Sequence, residues 1–372
     1  MTLPLDADLR RPERNGALVG LERLSLGRAR RAAPLPLVDK QARRVEYLRL
    51  SVTDRCNFRC LYCMPEEGLQ FSPRAEVLSY EEIVRLVGVF VSLGINRVRI
   101  TGGEPLLRRD LVELVRAIAA TPGVEDLALS TNGYALETMA RPLADAGLSR
   151  VNVSIDSLDP ERFAAITRTG ELPRVLAGIE AARAAGMAPV KLNVVVLRGK
   201  NDDELTGLVR FAAERGHLVR FIEYMPIGVD GFWSDESFVP VDAMLARLAR
   251  DFDIAGGPER DPGVTGGGPA RYAWLTPRHP EVGGGPPVRV GFITALSDNF
   301  CAACNRVRLT ATGRLQECLA YAGSLSLRDA MRAGASDAEL ADQIAGALGT
   351  KGPGHRFDHG QRTPQSMSIT GG

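Results

Sequence analysis

Short apolar runs alternate with longer helical patterns along residues 47–223, and this alternation constrains the fold more than any other feature. It predicts strands at 47–53, 97–101, 125–130, 150–155, 190–196 and 218–223. Helices fit between them at about 79–93, 109–120, 135–146, 160–186 (broken at Pro173) and 203–215. Such alternation is typical of βαβ units, whose strands are parallel. The glycines at 94, 147, 186 and 216 stand where these helices are expected to end.

Six units indicate an α/β fold built as an incomplete (βα)6 TIM-like barrel, because a closed barrel of this kind has eight strands. A doubly wound sheet is the alternative, but no G-x-G-x-x-G motif follows the first strand. The C-terminal part predicts further strands at 288–293, 306–310 and 314–319, followed by helices at 326–333 and 337–348.

Composition along the chain predicts four regions. These are a flexible N-terminal extension at 1–45, the barrel at 46–255, a Gly/Pro-rich loop at 256–287 with a hairpin strand at 271–275, and a C-terminal module with a glycine tail at 288–372. The extension carries nine arginines and no sustained apolar period. An organellar transit peptide fits it less well, because such peptides are rich in serine and poor in acidic residues.

The six cysteines fall into two sets of three. The first cysteine set, Cys56, Cys60 and Cys63, has the spacing C-x3-C-x2-C and follows the first strand directly. The second cysteine set, Cys301, Cys304 and Cys318, has the spacing C-x2-C-x13-C. Three thiolates leave one iron of a four-iron cluster without a protein ligand, whereas a structural zinc site normally has four protein ligands. Residues 1–30 lack the apolar core of a signal peptide, so we expect a reducing, cytoplasmic compartment rather than disulfides.

Overall charge and hydropathy exclude several classes of function. The net charge is +1, which gives no general attraction for nucleic acid or for a membrane surface. No apolar run approaches the roughly 20 residues that a membrane helix needs. A soluble enzyme without a nucleic-acid or membrane partner is therefore expected.

Two motifs together resemble the radical S-adenosylmethionine (SAM) superfamily: the first cysteine set and the segment Thr101-Gly102-Gly103-Glu104-Pro105. Three further features resemble the GTP 3′,8-cyclases of molybdenum cofactor biosynthesis, over about Tyr47 to Gly372. They are an arginine seven residues before Cys56, the second cysteine set with Asn305-Arg306-Val307-Arg308-Leu309, and the terminal Gly-Gly.

This resemblance implies a lyase with two [4Fe-4S] clusters at the ends of a channel. One cluster cleaves SAM to methionine and a 5′-deoxyadenosyl radical, which removes the 3′ hydrogen of GTP. The C3′ radical then attacks C8 of guanine, and the other cluster binds the guanine. The product, (8S)-3′,8-cyclo-7,8-dihydroguanosine 5′-triphosphate, passes to cyclic pyranopterin monophosphate synthase. A reductant is also implied, and a homodimer is left open.

The resemblance also implies roles for individual residues. The SAM contacts are Tyr62, Gly103, Ser154 and Met225. The GTP contacts are Arg49, Arg99, Ser130, Lys191, Arg306 and Arg308, with Arg220 as a further triphosphate candidate. The residues with a catalytic role are Arg49, Arg306, Arg308, Gly371 and Gly372.

Four of these basic residues are unusual even without the resemblance: Arg49, Arg99, Lys191 and Arg220. All four fall on predicted strands, where an inward charge is costly unless it is paired. A polyanion inside the barrel would pair them, and structural ion pairs with nearby acids are the alternative.

Two other functions remain open at this point. One is a different radical SAM enzyme with an auxiliary cluster, such as a peptide-modifying maturase, although these tend to have more than three C-terminal cysteines. The other is a non-enzymatic zinc or nucleic-acid-binding protein, which the near-neutral charge disfavours.

Overall fold

Six parallel strands lie side by side in chain order and form the centre of the protein. They are β1 (Tyr47–Ser51), β2 (Arg97–Thr101), β3 (Asp126–Thr131), β4 (Arg150–Ser154), β5 (Lys191–Val196) and β6 (Leu218–Glu223). Between them run α1 (Tyr80–Ser92), α2 (Leu111–Ala119), α3 (Leu136–Asp145), α4 (Pro160–Thr167), α5 (Leu172–Ala184) and α6 (Leu205–Glu214). The predicted succession of six βα units is confirmed.

This computed structural model describes residues 36–228, 233–261, 263, 267–279, 285–323, 325–357, 362–363 and 366–371. All of them belong to one unit, Leu35–Gly372. No helix in these ranges is both long and apolar enough to span a membrane.

The C-terminal half adds strands to both edges of the central six. It contains α7 (Val241–Leu248), β7 (Phe252–Glu259), β8 (Arg271–Pro277), β9 (Val288–Ile293), β10 (Arg306–Leu309), β11 (Arg314–Gln316), β12 (Leu325–Ser326), α8 (Leu327–Arg332), α9 (Asp337–Gly349) and α10 (Met367–Thr370). Strand β9 pairs in parallel with β6, and β10 pairs in parallel with β1. Eight parallel strands therefore lie in sequence within the described part of the chain, flanked by β11–β12 on one side and β8–β7 on the other.

Four elements of this half were not predicted: β7, α7, β12 and α10. Strand β7 contains Gly256, Gly257 and Pro258, residues that weaken a strand signal, and it forms by pairing with β8. Helix α7 follows Pro240, at a point where the sequence analysis assigned no element. Strand β12 has two residues and helix α10 has four, too few for a clear sequence pattern.

Alternating residues of the strands face two different environments. Leu48, Leu50, Val98 and Ile100 are almost fully buried and pack in one cluster with apolar residues of the helices. The residues between them, such as Arg49 on β1 and Arg99 on β2, face the other side and are mainly polar. Because successive side chains of a strand point to opposite faces, one face builds the core and the other is left for a site.

Residues 36–45, assigned above to a flexible extension, are packed against the rest of the unit. Leu37 and Val45 are buried. The Arg43 guanidinium donates to the Asp39 carboxylate at 2.6 Å and to the Gln41 side chain. It also donates, at 2.8–2.9 Å, to the carbonyls of Cys301, Gly352 and Pro353. Side-chain hydrogen bonds to distant backbone hold this segment, and such bonds leave no apolar period in the sequence. Residues 1–35 of the predicted extension lie outside the described residues.

We expect Arg43→Ala to lower the free energy of unfolding by about 3–5 kcal/mol, since it leaves the buried Asp39 carboxylate unpaired and removes the donor of three partly buried carbonyl bonds. Chemical denaturation of the full chain measures this. Arg44→Ala is the matched control, because the side chain of Arg44 is 68% exposed, and it should change stability by less than about 0.5 kcal/mol. Equal effects of the two substitutions would contradict the role given to Arg43.

Candidate active site

Both cysteine sets line one cavity on the inner face of the strands. The cavity is bordered by all six cysteines, and the inward residues of β1 to β6 lie between the two sets. All six thiols are free. Both predicted three-cysteine sites therefore open onto the same cavity.

The first cysteine set lies on a loop that the end of α4 holds in place. The Arg59 amide donates to the Thr167 carbonyl at 3.0 Å, and the Leu61 amide donates to the Ile166 carbonyl at 2.9 Å. The Arg168 guanidinium donates to the carbonyls of Arg59 and Met64. These bonds fix the loop without using any thiol, so the thiols remain available as ligands.

Burial of the first cysteine set disfavours bare thiolates. It raises the pKa of Cys56 to about 12 and that of Cys63 to about 11, and it raises the pKa of Cys60 as well. Positive iron replaces the thiol protons when a cluster binds, which suits such an environment. Among the described residues no three His, Cys, Asp or Glu side chains are grouped as a single metal ion requires.

The glycine segment after β2 contacts the cysteine loop closely. The amide of Gly103 donates to the Thr53 carbonyl at 2.7 Å, and that of Glu104 donates to the Arg55 carbonyl at 2.7 Å. A Cβ on Gly103 would lie 2.6 Å from the Arg55 carbonyl carbon and 2.7 Å from the Asp54 carbonyl oxygen. Only glycine allows this approach of two backbones.

The Glu104 carboxylate ties the ends of β2 and β3 together. It accepts from the Leu106 amide at 2.9 Å, the Thr131 hydroxyl at 2.8 Å and the Asn132 amide at 2.7 Å. Burial raises its pKa to about 7, and these bonds oppose the rise. Glu104 therefore orients the loops that follow β2 and β3.

A pairing that the sequence did not reveal joins Tyr62 to Asp156. The Tyr62 hydroxyl donates to Asp156 Oδ2 at 2.7 Å, and the Val195 amide donates to Oδ1 at 2.9 Å. Burial raises the pKa of Asp156 to about 6, against the effect of both bonds. The carboxylate at the end of β4 thus fixes the aromatic residue that precedes Cys63. A single aspartate after a strand gives no spacing signal that would identify this role.

Three arginines lie at one level across neighbouring strands. The register places Arg49 of β1 beside Arg308 of β10 and beside Arg99 of β2. Arg99 donates to the Tyr47 hydroxyl, and Arg308 donates to the carbonyls of Thr370 and Gly371 at 3.3 Å. Burial and then the charge of Arg308 lower the pKa of Arg49. These acceptors are neutral, so the charge of the arginines is not cancelled by them.

Further basic groups lie along the same face. Arg220 on β6 donates to Asn193 Oδ1 from Nε at 3.0 Å and from Nη2 at 2.7 Å. Lys191 on β5 is buried beside Asn152. Burial, and then the charges of Arg220, Arg150 and Arg99, lower the pKa of Lys191 to about 6. This pKa favours the neutral amine near neutral pH.

The second cysteine set has a basic environment of its own. Cys304 Sγ lies 3.6 Å from Arg306 Nη2 and 3.8 Å from Lys351 Nζ. Burial raises the pKa of Cys304, but the opposing effect of Arg306 and Lys351 is larger and brings it to about 6. This thiol is poised as a ligand. The sequence analysis did not predict a role for Lys351, because this residue stands 47 positions from Cys304.

The C-terminal tail (described at residues 366–371) enters the cavity. Arg49 Nη2 donates to the Gly371 carbonyl at 2.7 Å. At the other end, the Ser366 hydroxyl donates to the Cys63 carbonyl at 3.1 Å. Gly371 has a φ of 73°, a conformation that glycine adopts readily. Gly372 lies outside the described residues.

Most of the predicted site residues line this cavity, and they come from both halves of the chain. They are Arg49, Tyr62, Arg99, Gly103, Ser130, Ser154, Arg220, Met225, Arg306, Arg308, Gly371 and the six cysteines. Lys191 is buried on β5 two residues before Asn193, which does line the cavity.

Comparison with known proteins agrees with this architecture. The radical SAM superfamily model matches residues 50–212, and the molybdenum cofactor synthesis C model matches residues 217–357. A Pseudomonas entomophila protein named GTP 3′,8-cyclase is 49% identical over 91% of this chain and 99% of its own length. The GTP 3′,8-cyclase 1 of Pseudomonas aeruginosa is 47% identical over 90% of this chain and 99% of its own. The chain belongs to the GTP 3′,8-cyclase family. Membership of the radical SAM superfamily implies an iron–sulfur cluster and SAM.

A more distant likeness concerns the fold alone. The structure resembles Streptococcus suis SuiB bound to S-adenosylmethionine, with a TM-score of 0.55 and 14% identity over 90% of this chain and 77% of that one. At this level of identity the likeness shows a shared fold.

We expect Gly103→Ala to force the β2 end away from the cysteine loop, lowering both the melting temperature and the iron bound by the first cysteine set. Gly88→Ala is the control, since nothing lies within 4 Å of its added Cβ and a helical glycine replaced by alanine gains roughly 0.5–1 kcal/mol. Thermal unfolding and iron analysis after anaerobic reconstitution measure both. Full iron binding by Gly103→Ala would contradict the close approach described here.

Proposed function

We propose that this chain converts GTP and SAM to (8S)-3′,8-cyclo-7,8-dihydroguanosine 5′-triphosphate, 5′-deoxyadenosine and methionine, the first step of molybdenum cofactor biosynthesis. The observation that carries the proposal is one cavity bordered by two three-cysteine sets, with arginines on the strands between them. Family membership supports the same reaction.

The two cysteine sets each hold a [4Fe-4S] cluster in this proposal. When bound, the first cluster and SAM supply the radical that removes a hydrogen atom from the substrate. Cys56, Cys60 and Cys63 are the ligands at one end, and Cys301, Cys304 and Cys318 are those at the other. The donor sets fit, because each offers three free thiols to the same cavity and leaves a position open for SAM or for guanine.

The triphosphate binds to the basic residues of the strands. Arg99, Lys191 and Arg220 are buried, and a nucleoside triphosphate brings about four negative charges. Guanidinium groups suit bidentate contact with phosphate. The Ser130 hydroxyl offers a further donor at the end of β3. With a net charge of only +1 on the whole chain, binding depends on this local concentration of charge.

SAM lies against the first cysteine loop and the ends of the first strands. Tyr62, Gly103, Ser154 and Met225 contact it, and Asp156 holds Tyr62 in position. The exposed carbonyls of the glycine segment can accept from an ammonium group, because glycine lets a ligand approach the backbone.

Arg49, Arg306 and Arg308, together with Gly371 and Gly372, act beside the reacting nucleotide. Arg49 and Arg308 hold the tail carbonyl and thereby keep the tail across the cavity. This position excludes water from the space in which the substrate reacts. Removing a hydrogen atom needs no general base, so these groups orient and shield.

Three relations outside the chain complete the proposal. A low-potential reductant supplies electrons, and the product is consumed by the synthase that makes cyclic pyranopterin monophosphate. Oxygen-sensitive clusters fit a reducing, cytoplasmic compartment.

The direct test incubates the anaerobically reconstituted chain with SAM, GTP and dithionite, and reads the products by mass spectrometry. We expect 5′-deoxyadenosine together with an isomer of GTP of unchanged mass. Replacing GTP by ATP is the control and should give no nucleotide isomer. Deoxyadenosine formed equally with and without GTP would refute the cyclase while leaving radical SAM chemistry in place.

Binding of GTP should take up a proton, because the phosphates restore the charge of Lys191, whose pKa is about 6 without ligand. The sign follows from this value: uptake occurs above pH 6, and affinity falls as pH rises further. Calorimetry at pH 8 in two buffers of different ionisation enthalpy measures the uptake. Lys191→Met should abolish it and the exposed Lys200→Met should not. Uptake that persists in Lys191→Met would exclude this residue.

A further inference from the structure

Lysine is scarce in this chain, and two of the few lysines are buried. Of 46 lysines and arginines, only Lys40, Lys191, Lys200 and Lys351 are lysines. Lys40 and Lys200 are exposed, whereas Lys191 and Lys351 are each 3% exposed. Lys191 faces the proposed triphosphate site, so the buried charge of Lys351 still needs an explanation.

The ammonium of Lys351 lies against the turn that carries two residues of the second cysteine set. Nζ donates to the Arg306 carbonyl at 2.8 Å and to the Cys304 carbonyl at 3.3 Å, and it lies 3.8 Å from Cys304 Sγ. The two carbonyls could be served equally well by a neutral donor. The third partner is different, because a thiolate ligand carries the negative charge that a buried ammonium requires.

Arg43 shows by contrast what a purely structural cation looks like at the same turn. It donates to the Cys301 carbonyl and to the carbonyls of Gly352 and Pro353, and its charge is paired with Asp39 at 2.6 Å. Arg43 therefore holds the backbone that directly follows Lys351, and the turn at Cys301, while adding no net charge. Lys351, which lies outside residues 301–318, therefore brings a positive charge to this turn.

Arg306 is the other cation at the same sulfur, at 3.6 Å. Its side chain lines the cavity, where substrate is proposed to bind, whereas Lys351 approaches Cys304 from the protein side. The charge of Lys351 thus stays beside the sulfur whether or not substrate is present.

We propose that Lys351 is a positioning residue of the second cysteine set, whose ammonium offsets the negative charge at Cys304 Sγ and makes a cluster bound there easier to reduce. Hydrogen bonds and charges at the sulfurs are among the factors that set cluster potentials. The inference rests on the proposed function, in which this set holds a cluster.

The test is a redox titration of the reconstituted full chain, followed by electron paramagnetic resonance. It is made in the parent and in a background with Cys56→Ala, Cys60→Ala and Cys63→Ala, so that only the second cluster remains. Lys351→Met and Lys351→Gln remove the charge, and Lys200→Met is the matched exposed control. We expect both Lys351 variants to shift the potential of the second cluster to more negative values, with no shift in Lys200→Met and none in the first cluster.

Unchanged potentials in both variants, with iron and sulfide retained, would overturn the proposal and leave Lys351 as a backbone contact. A shift in Lys351→Met alone would overturn it too, because hydrogen bonding rather than charge would be responsible. If both neutral variants lose the second cluster, its retention in Lys351→Arg supports the charge, and its loss there refutes it. A background protein that holds no cluster at all would instead refute the two-cluster function.

Discussion

The register between β10, β1 and β2 places Arg308, Arg49 and Arg99 side by side on one inner face, and the rest of the site depends on this accumulation of like charge. Arg99 donates to a phenol and Arg308 donates to carbonyls, and these acceptors satisfy hydrogen bonds without neutralising the two charges. Buried like charges at such short range repel one another, so an anionic ligand is a favourable partner for this face. Burial and then the charges of Arg220, Arg150 and Arg99 lower the pKa of Lys191 on the same face.

Neither half of the chain builds this site alone. The first six strands supply the first cysteine set, Arg49 and Arg99, whereas β10 brings Arg308 to the edge of β1. The tail then returns to β1, and Arg43 joins the start of the chain to the second cysteine turn. Because all of these contacts are distant in sequence, the site is complete only after the C-terminal strands have paired with both edges.

The sequence predicted those parts that leave a local pattern. Alternating apolar runs and glycines identified the six central strands and their helices, and cysteine spacing identified both proposed cluster sites. The pairing of β9 with β6 and of β10 with β1 has no local signature, since register between distant strands is set by packing. Strand β7 was hidden by its Gly256-Gly257-Pro258. Asp156, Arg43 and Lys351 act as single polar residues, and no spacing distinguishes them from solvated ones; their roles become visible only when burial and partners are known.

The tail accepts hydrogen bonds from the same arginines that a nucleotide would need, but its bonds to them are the weaker ones. The Gly371 carbonyl is a neutral acceptor, whereas a phosphate oxygen is charged, and charge-assisted hydrogen bonds are roughly twice as strong as neutral ones. A triphosphate would therefore gain more from Arg49 and Arg308 than the carbonyl does. At its other end the tail is tied to the Cys63 carbonyl through Ser366, which does not depend on those arginines. The tail can thus yield its contact with the arginines to a triphosphate while its other end stays tied to the first cysteine loop.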